Sequence, residues 1–339
     1  MSDRGGVPAL ALPLVGGCSY QSYQSTFSDA AVEVRQFNSL FVIFLMVCAV
    51  MYLLVIGFML AAIMRRRAGS ANVTEERRHR ESDPLMRVGL IAWGSLVGVG
   101  LIGLAVASFF GDRSMARASA DPKLAITITA NQWWWDVRYS ASDNSKMIRT
   151  ANELHLPAGV PVHIYLKTND VIHSFWVPSL AGKQDLIPGR VNDITITPTR
   201  VGIYRGQCAE FCGAQHAHMA LIVDVESNPN FVRWWEQQLR PAPAPATALA
   251  RAGYDFVTSR NCGACHNIGG TPANGSVGPD LTHLAGRRTL AAGTMPMSEG
   301  NLYGWVADPQ SLKGGNHMPT IGLEPDQLHA VVAYLETLK

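Results

Sequence analysis

Two long uncharged stretches dominate the first third of the chain. Leu40–Met64 and Val88–Phe110 contain no Asp, Glu, Lys or Arg. Each exceeds the ~20 apolar residues with which a helix crosses a hydrocarbon core, so the pattern predicts two membrane spans. The loop between them carries Arg65, Arg66, Arg67, Arg77, Arg78, Arg80 and Arg87. The outer flanks hold Arg35 on one side and Arg113, Arg117 and Lys123 on the other. This asymmetry puts the loop in the cytoplasm and both termini outside. Gly94 and Gly98, followed by Gly100 and Gly103, offer a close approach to the other span or to a larger membrane subunit. The ordinary tolerance of membrane helices for glycine explains them equally well.

Beyond the second span the period shortens to two. Leu124–Thr129, Val162–Leu166, Asp193–Thr197 and Ala220–Val225 read as strands, separated by turn residues such as Pro157, Gly159, Pro188 and Gly189. Short strands at this spacing predict a sandwich or Greek-key barrel, closed by an aromatic segment, Phe231–Leu239. Prolines alternate with alanine from Pro241 to Pro245, the composition of a semi-rigid polyproline spacer. Helical periodicity then takes over at Ala252–Arg260, Ser298–Ala307 and Pro325–Leu338. The chain thus divides into an N-terminal segment (1–37), a transmembrane hairpin (38–111), an all-β domain (112–239), a Pro/Ala linker (240–249) and an all-α domain (250–339). Within the first segment, Arg4, a short apolar stretch and Val15-Gly16-Gly17-Cys18 resemble a bacterial lipoprotein signal with Cys18 as the lipidated residue. Pro8 and Pro13 interrupt that stretch and suit a disordered N-terminus as well.

Charge sharpens this outline. The 339 residues hold 28 Lys+Arg and 26 Asp+Glu, a net +2 too balanced for a chain built to bind a nucleic-acid backbone. Only 16% of residues are charged, against ~25% in an ordinary soluble chain. The spans account for part of the deficit. From Gly111 onward acids and bases are equal in number, so the exported part is formally neutral. Six cysteines are too few for a disulfide-dense scaffold but enough for one or two cofactor sites. Cys48 lies within a span, where it simply packs.

Four of the six fall into two constellations. Cys208, Cys212, His216 and Met219 place two thiols, an imidazole and a thioether within twelve residues. Soft sulfur with imidazole selects copper or zinc over hard cations, and a methionine is a ligand zinc does not require. His173, at the end of a predicted strand, is available to complete the set. A structural zinc site or a Cys208–Cys212 disulfide are the alternatives. His218 lies at the wrong spacing and reads as surface.

Cys262-Gly-Ala-Cys265-His266 is CxxCH, the pattern of covalent haem attachment with the histidine as proximal ligand. Met295, Met297 and Met318 are candidates for the opposite side of the iron, and methionine ligation raises the potential of an electron carrier. Gly314-Gly-Asn-His-Met318-Pro resembles the methionine loop of class I cytochromes c, and Gly278-Pro-Asp-Leu281 their loop facing the proximal histidine. Met318 is therefore expected as the ligand, ahead of His317.

His173, Pro188-Gly-Arg190, Gly206-Gln-Cys-Ala-Glu-Phe-Cys-Gly213, His216 and Met219 resemble the dinuclear copper A site of cytochrome c oxidase subunit II, and Asn131–Trp135 resembles that family's aromatic electron-intake segment. The resemblance covers both spans and the β-domain and implies a cupredoxin fold. It implies that Cys208 and Cys212 bridge two coppers, with His173 and His216 as terminal ligands. Met219 and the Glu210 backbone carbonyl become the weak ligands, and the Glu210 carboxylate helps hold Mg²⁺ at the boundary with subunit I. It also makes Trp133 the residue through which electrons come in, although three successive tryptophans cannot all face one way on a strand. One departure stands out. Many members carry a glutamate before the tryptophan of the second span, whereas Arg87–Ala92 precedes Trp93 here with no acid.

These readings predict a haem–copper oxidase subunit II with a fused cytochrome c in a bacterial inner membrane, its copper and haem domains periplasmic. Its partners would be subunit I, subunit III, membrane lipid and cytochrome c or another periplasmic donor, with no nucleic acid. Electrons would run from the donor through haem c and copper A to subunit I, which reduces O₂ and translocates protons. A copper A subunit of a nitric-oxide reductase and a non-enzymatic membrane copper or redox sensor are the competing readings.

Overall fold

The computed structural model describes residues 24–68, 84–118, 124–140, 147–259 and 262–339. Cys18 and most of the basic loop lie outside the described residues. Both apolar stretches are helical and run past their predicted ends: α1 spans Val32–Ala68 and α2 Pro84–Ala118. Each is long and apolar enough to cross a membrane. Added methyl groups at Gly94, Gly98, Gly100 and Gly103 would meet nothing within 4 Å, so the glycine face of α2 is not where α1 packs. Gly111 is, with Leu40 3.2 Å from such a methyl.

α1 starts before the predicted span because its first turn belongs to the β-domain. Ala30 and Ala31 are buried in that domain's apolar cluster. The Val32 amide donates to the Thr197 carbonyl (3.1 Å), and the Thr197 amide to the Glu33 carboxylate (3.0 Å).

The β-domain is two five-stranded sheets packed face to face. Its strands are β1 (Leu124–Asn131), β2 (Trp134–Ser140), β3 (Ile148–Ala151), β4 (Glu153–Pro157), β5 (Val162–Thr168), β6 (His173–Trp176), β7 (Gln184–Leu186), β8 (Asn192–Ile196), β9 (Gly202–Cys208) and β10 (Ala220–Glu226). They order as β3-β2-β1-β5-β8 and β4-β10-β9-β6-β7, with β1–β5 and β4–β10 parallel. The period-two pattern explains the layers. Ile126, Ile128, Val162, Ile164 and Leu166 point into the shared core, while their alternates face outward. Helix α3 (Asn228–Gln238) presses Phe231, Trp234 and Trp235 against that core.

The C-terminal domain comprises α4 (Ala248–Thr258), a short hairpin β11–β12 (Thr289–Leu290, Met295–Pro296), α5 (Glu299–Ala307), α6 (Pro309–Leu312) and α7 (Pro325–Leu335). α4 starts four residues before its predicted position because the Thr247 hydroxyl accepts from the Ala250 amide. Helices α4 and α7 touch at Gly253, where any Cβ would come within 1.9 Å of the Ala330 carbonyl oxygen. Only glycine lets these helices meet so closely. The proline spacer is extended but not free, since the Ala242 amide donates to the Gly269 carbonyl (2.9 Å).

Candidate metal and haem centres

The sulfur-rich site forms where β6 and β9 end side by side. Their pairing sets Phe175 opposite Cys208, which brings His173 to the mouth of the following loop. His173 opens its strand; the sequence pattern had suggested the end of one. Residues 208–219 leave the sheet and return to it, and the Cys208 amide closes the excursion on the Met219 carbonyl (2.9 Å). Inside it, Cys208 Sγ lies 3.8 Å from Cys212 Sγ and 3.8 Å from His173 Nδ1. Cys212 Sγ is 3.5 Å from His216 Nδ1 and 3.8 Å from Met219 Sδ. The Glu210 carbonyl oxygen lies 3.2 Å from Cys208 Sγ, while the Glu210 side chain is exposed.

Both cysteines are free and buried, which excludes the disulfide alternative here. Two thiols, two imidazole nitrogens, a thioether and a carbonyl gathered about two adjacent sulfurs are a donor set that fits a soft metal. Hydrogen bonding from Cys212, ahead of that from His173 and nearby amides, holds Cys208 down to about 3, while Cys212 is pushed well above its ordinary value. His218 is exposed and bonded to Gln215 (2.7 Å), outside the cluster.

A residue that spacing did not single out orients this site. Asp170 Oδ1 lies 2.7 Å from His173 Nε2, the ring nitrogen facing away from sulfur. Asp170 also accepts from the Gln132 and Val171 amides (2.6 and 2.7 Å). Burial opposes its charge, yet these hydrogen bonds hold its pKa below the ordinary carboxylate value. The tryptophans divide as strand geometry requires. Trp135 is fully buried edge-on to His173 and Phe175, Trp134 is half-buried, and Trp133 covers the sulfur loop, donating from Nε1 to the Cys212 carbonyl (2.9 Å).

A second group, His155, Asp224 and Glu226, also has metal-ligand geometry. Its members are already engaged: His155 lies between Glu226 (2.6 Å) and Glu153 (3.7 Å) under the Trp234 ring, and Asp224 pairs with Arg288 (2.7 Å).

The CxxCH segment follows α4 in a tight turn, with the Cys265 and His266 amides both donating to the Cys262 carbonyl. Cys262 is half-buried and Cys265 exposed. His266 Nδ1 donates to the Pro279 carbonyl (2.7 Å), which leaves Nε2 as the free ligand. Gly278 packs so tightly on this ring that a Cβ would come within 2.6 Å of Cε1. Arg287 is buried; it donates to the Asp280 carbonyl, and among the described residues its Nε has no partner, which suits a cation facing an anionic group. These features fit a c-type haem. Met295 and Met297 pack against the domain's apolar cluster. Met318 lies outside it, in a loop where its carbonyl accepts from Gln310 (2.7 Å) and its amide donates to Asn316 (2.8 Å).

Comparison with known proteins identifies both domains. Residues 127–226 match the profile "Cytochrome C oxidase subunit II, periplasmic domain", and residues 250–339 match that of cytochrome c. The chain is 30% identical over 308 residues to cytochrome c oxidase subunit 2 of Alkalihalophilus pseudofirmus, covering 89% of this chain and 86% of that one. The chain belongs to the cytochrome c oxidase subunit 2 family. Another relative, from Bacillus subtilis, is 31% identical over 65% of this chain and 64% of its own. A solved periplasmic domain of subunit II of cytochrome oxidase from Bradyrhizobium japonicum matches 35% of this chain and 96% of that one, at 27% identity and TM-score 0.33.

As a member of that family the chain is a membrane-anchored subunit of a haem–copper terminal oxidase and a partner of subunit I. Its β-domain is a periplasmic cupredoxin of the copper A type, and its C-terminal domain a haem c carrier.

The two carriers are in direct contact. The His317 and Trp133 ring centroids are 5.6 Å apart. Lys313, only 3% exposed, donates from Nζ to the carbonyls of Trp133 (3.0 Å), His218 (2.8 Å) and Ala291 (2.9 Å). Burial pushes its pKa down to about 7, opposed by the nearby Cys212 sulfur, and three acceptors favour the ammonium form that offers three N–H donors. Gln215 Nε2 donates to the Gly314 carbonyl (2.6 Å), and the Ala220 amide to the Ala292 carbonyl (2.9 Å). Arg288 pairs with Asp224 through its side chain and with Glu153 through its amide.

Proposed function

We propose that the chain is the electron-accepting subunit of its oxidase. It receives electrons from a cytochrome c or another periplasmic donor at its own haem c, and passes them through copper A to subunit I for reduction of O₂ with proton translocation. The bound haem and copper supply reversible one-electron chemistry, and the chain supplies ligands, fixed separations and a dry environment. In this reading Cys208, Cys212, His173 and His216 would hold the copper, with Met219 and the Glu210 carbonyl as weaker donors. Cys262 and Cys265 carry the haem, with His266 and Met318 on its two sides. The His317 ring lies at a tilt against Trp133, which supports Met318 over His317 as the haem ligand.

The exposed Glu210 carboxylate shares Mg²⁺ with subunit I. The five-part division of the chain, the contact with subunit III and lipid, and the two-pass inner-membrane topology with both termini periplasmic belong to the same proposal. The positive-inside asymmetry of the loop supports that topology.

The observation that carries the reading is the unbroken contact from the haem loop to the copper ligands. His317 faces Trp133, and the Trp133 indole holds the Cys212 carbonyl. Removal of all residues from Pro241 onward tests it. Turnover with the native donor should fall while the copper absorption stays; unchanged turnover would show the haem domain to be dispensable. O₂ uptake on reduced cytochrome c, together with the identity of the co-purifying large subunit, separates an oxidase from a nitric-oxide reductase.

A further inference from the structure

On the basis of that relay, we propose that Lys313 is a positioning residue that locks the haem domain onto the copper domain. The two centres then work as a fixed pair, not as partners meeting at the end of a flexible tether. A cation is taken out of water only where its donors are fully used. Lys313 meets this condition without any carboxylate: its partners are three backbone carbonyls. Two of them belong to the copper domain and one to its own, so the ammonium is satisfied only when the domains are together.

The two copper-domain carbonyls lie beside the metal ligands. Trp133 holds the Cys212 carbonyl through its indole, and His218 immediately precedes Met219. The same cation therefore touches both segments that border the sulfur cluster.

A second observation comes from the other side of the contact. Ala291 and Ala292 both have left-handed backbone, with φ of 52° and 60°. Such residues persist where their surroundings over-determine them. One determinant here is interdomain, the Ala220 amide donating to the Ala292 carbonyl, while Lys313 and the Thr294 hydroxyl hold the Ala291 carbonyl from within the haem domain. Ala292 is fully buried in this contact. The tether points the same way, since Ala242 is bonded to Gly269 and the spacer lies along the haem domain.

The alternative is transfer governed by effective concentration, in which the rate falls as the tether lengthens. A locked pair is indifferent to tether length. The test uses the purified oxidase complex with haem and copper loaded, in four forms: unaltered, Lys313→Met, a Gly/Ser insertion of about ten residues after Ala246, and both changes together. Two quantities are read: the rate at which flash-reduced haem c passes its electron to copper, and hydrogen exchange at the Ala220 amide.

The insertion alone should change neither. Lys313→Met should slow transfer about tenfold or more and deprotect Ala220, since it takes the ammonium donor from the Trp133 and His218 carbonyls at the contact. The combined variant should be slower still, because an unlocked domain depends on its tether. Slowing by the insertion alone, or a Lys313→Met complex with unchanged rate and protection, would overturn the lock and leave the relay standing. Failure of flash-reduced haem to reduce copper in the unaltered complex would overturn the relay itself. If Lys313→Met does not assemble, Arg288→Gln, at an exposed site on the same contact, takes its place. It should raise exchange at Ala220, and unchanged protection there counts against the lock.

Discussion

His173 and Asp170 form an imidazole–carboxylate pair: Nε2 of the ring lies 2.7 Å from Asp170 Oδ1, while Nδ1 faces the Cys208 sulfur. The carboxylate fixes the ring's orientation and raises its basicity toward a metal. Asp170→Asn should leave the sandwich folded but lower copper affinity roughly 10- to 100-fold, the usual effect of losing such a partner. Copper retention against a competing chelator measures it, and retention equal to the parent chain would refute the role.

Gly278 is the corresponding point on the haem side. A Cβ there would come within 2.6 Å of His266 Cε1, so Gly278→Ala must push the ring from its hydrogen bond to Pro279. We expect loss of low-spin haem absorption with the two thioether links intact. A normal reduced spectrum would contradict this.

Met318→Ala should abolish six-coordinate low-spin character, whereas His317→Ala should keep it. Optical and resonance Raman spectra of the two variants decide between the residues, and the reverse outcome would exchange their roles.

His155 predicts a pH dependence. Burial opposes its charge, but Glu153 and Glu226 on its two nitrogens raise its pKa above the ordinary value. A raised folded value means the imidazolium stabilises the β-domain fully below the unfolded pKa of about 6.5. That contribution is lost as pH rises through the higher folded value. Melting followed by copper absorption should show His155→Gln less stable than the parent at about pH 6 and approaching it at about pH 9. Equal differences at both pH values would rule the contribution out.

What the sequence made legible was local. Uncharged runs announced α1 and α2, CxxCH marked the haem turn, and the Cys208–Met219 spacing marked the sulfur cluster, because each signal sits within a few residues. Strands β2, β3, β4, β7 and β9 were not read: β3 and β7 are only four and three residues long, and β2, β4 and β9 break the apolar–polar alternation with the buried acids Asp136 and Glu153 and with Gly202 and Gly206. Asp170 went unnoticed because an acid three residues before a histidine is common, and only the β6 turn reveals its aim. Lys313 was invisible for a different reason. Its partners are main-chain carbonyls of Trp133, His218 and Ala291, which carry no side-chain signature and are far apart in the chain. The boundary of α1 moved for the same reason, since Ala30 and Ala31 find their neighbours in a sandwich that begins nearly a hundred residues later.

The Thr197 amide bonded to Glu33 has a mechanical consequence. Because the first turn of α1 is bonded to Thr197, directly after strand β8, and its preceding alanines sit in the sandwich core, α1 is packed and hydrogen-bonded onto the copper domain where the two meet. The helix acts as a mast set into the hull of the domain. Tilt the mast in the bilayer and the sulfur cluster swings with it, so its height and bearing above the lipid are dictated from inside the membrane.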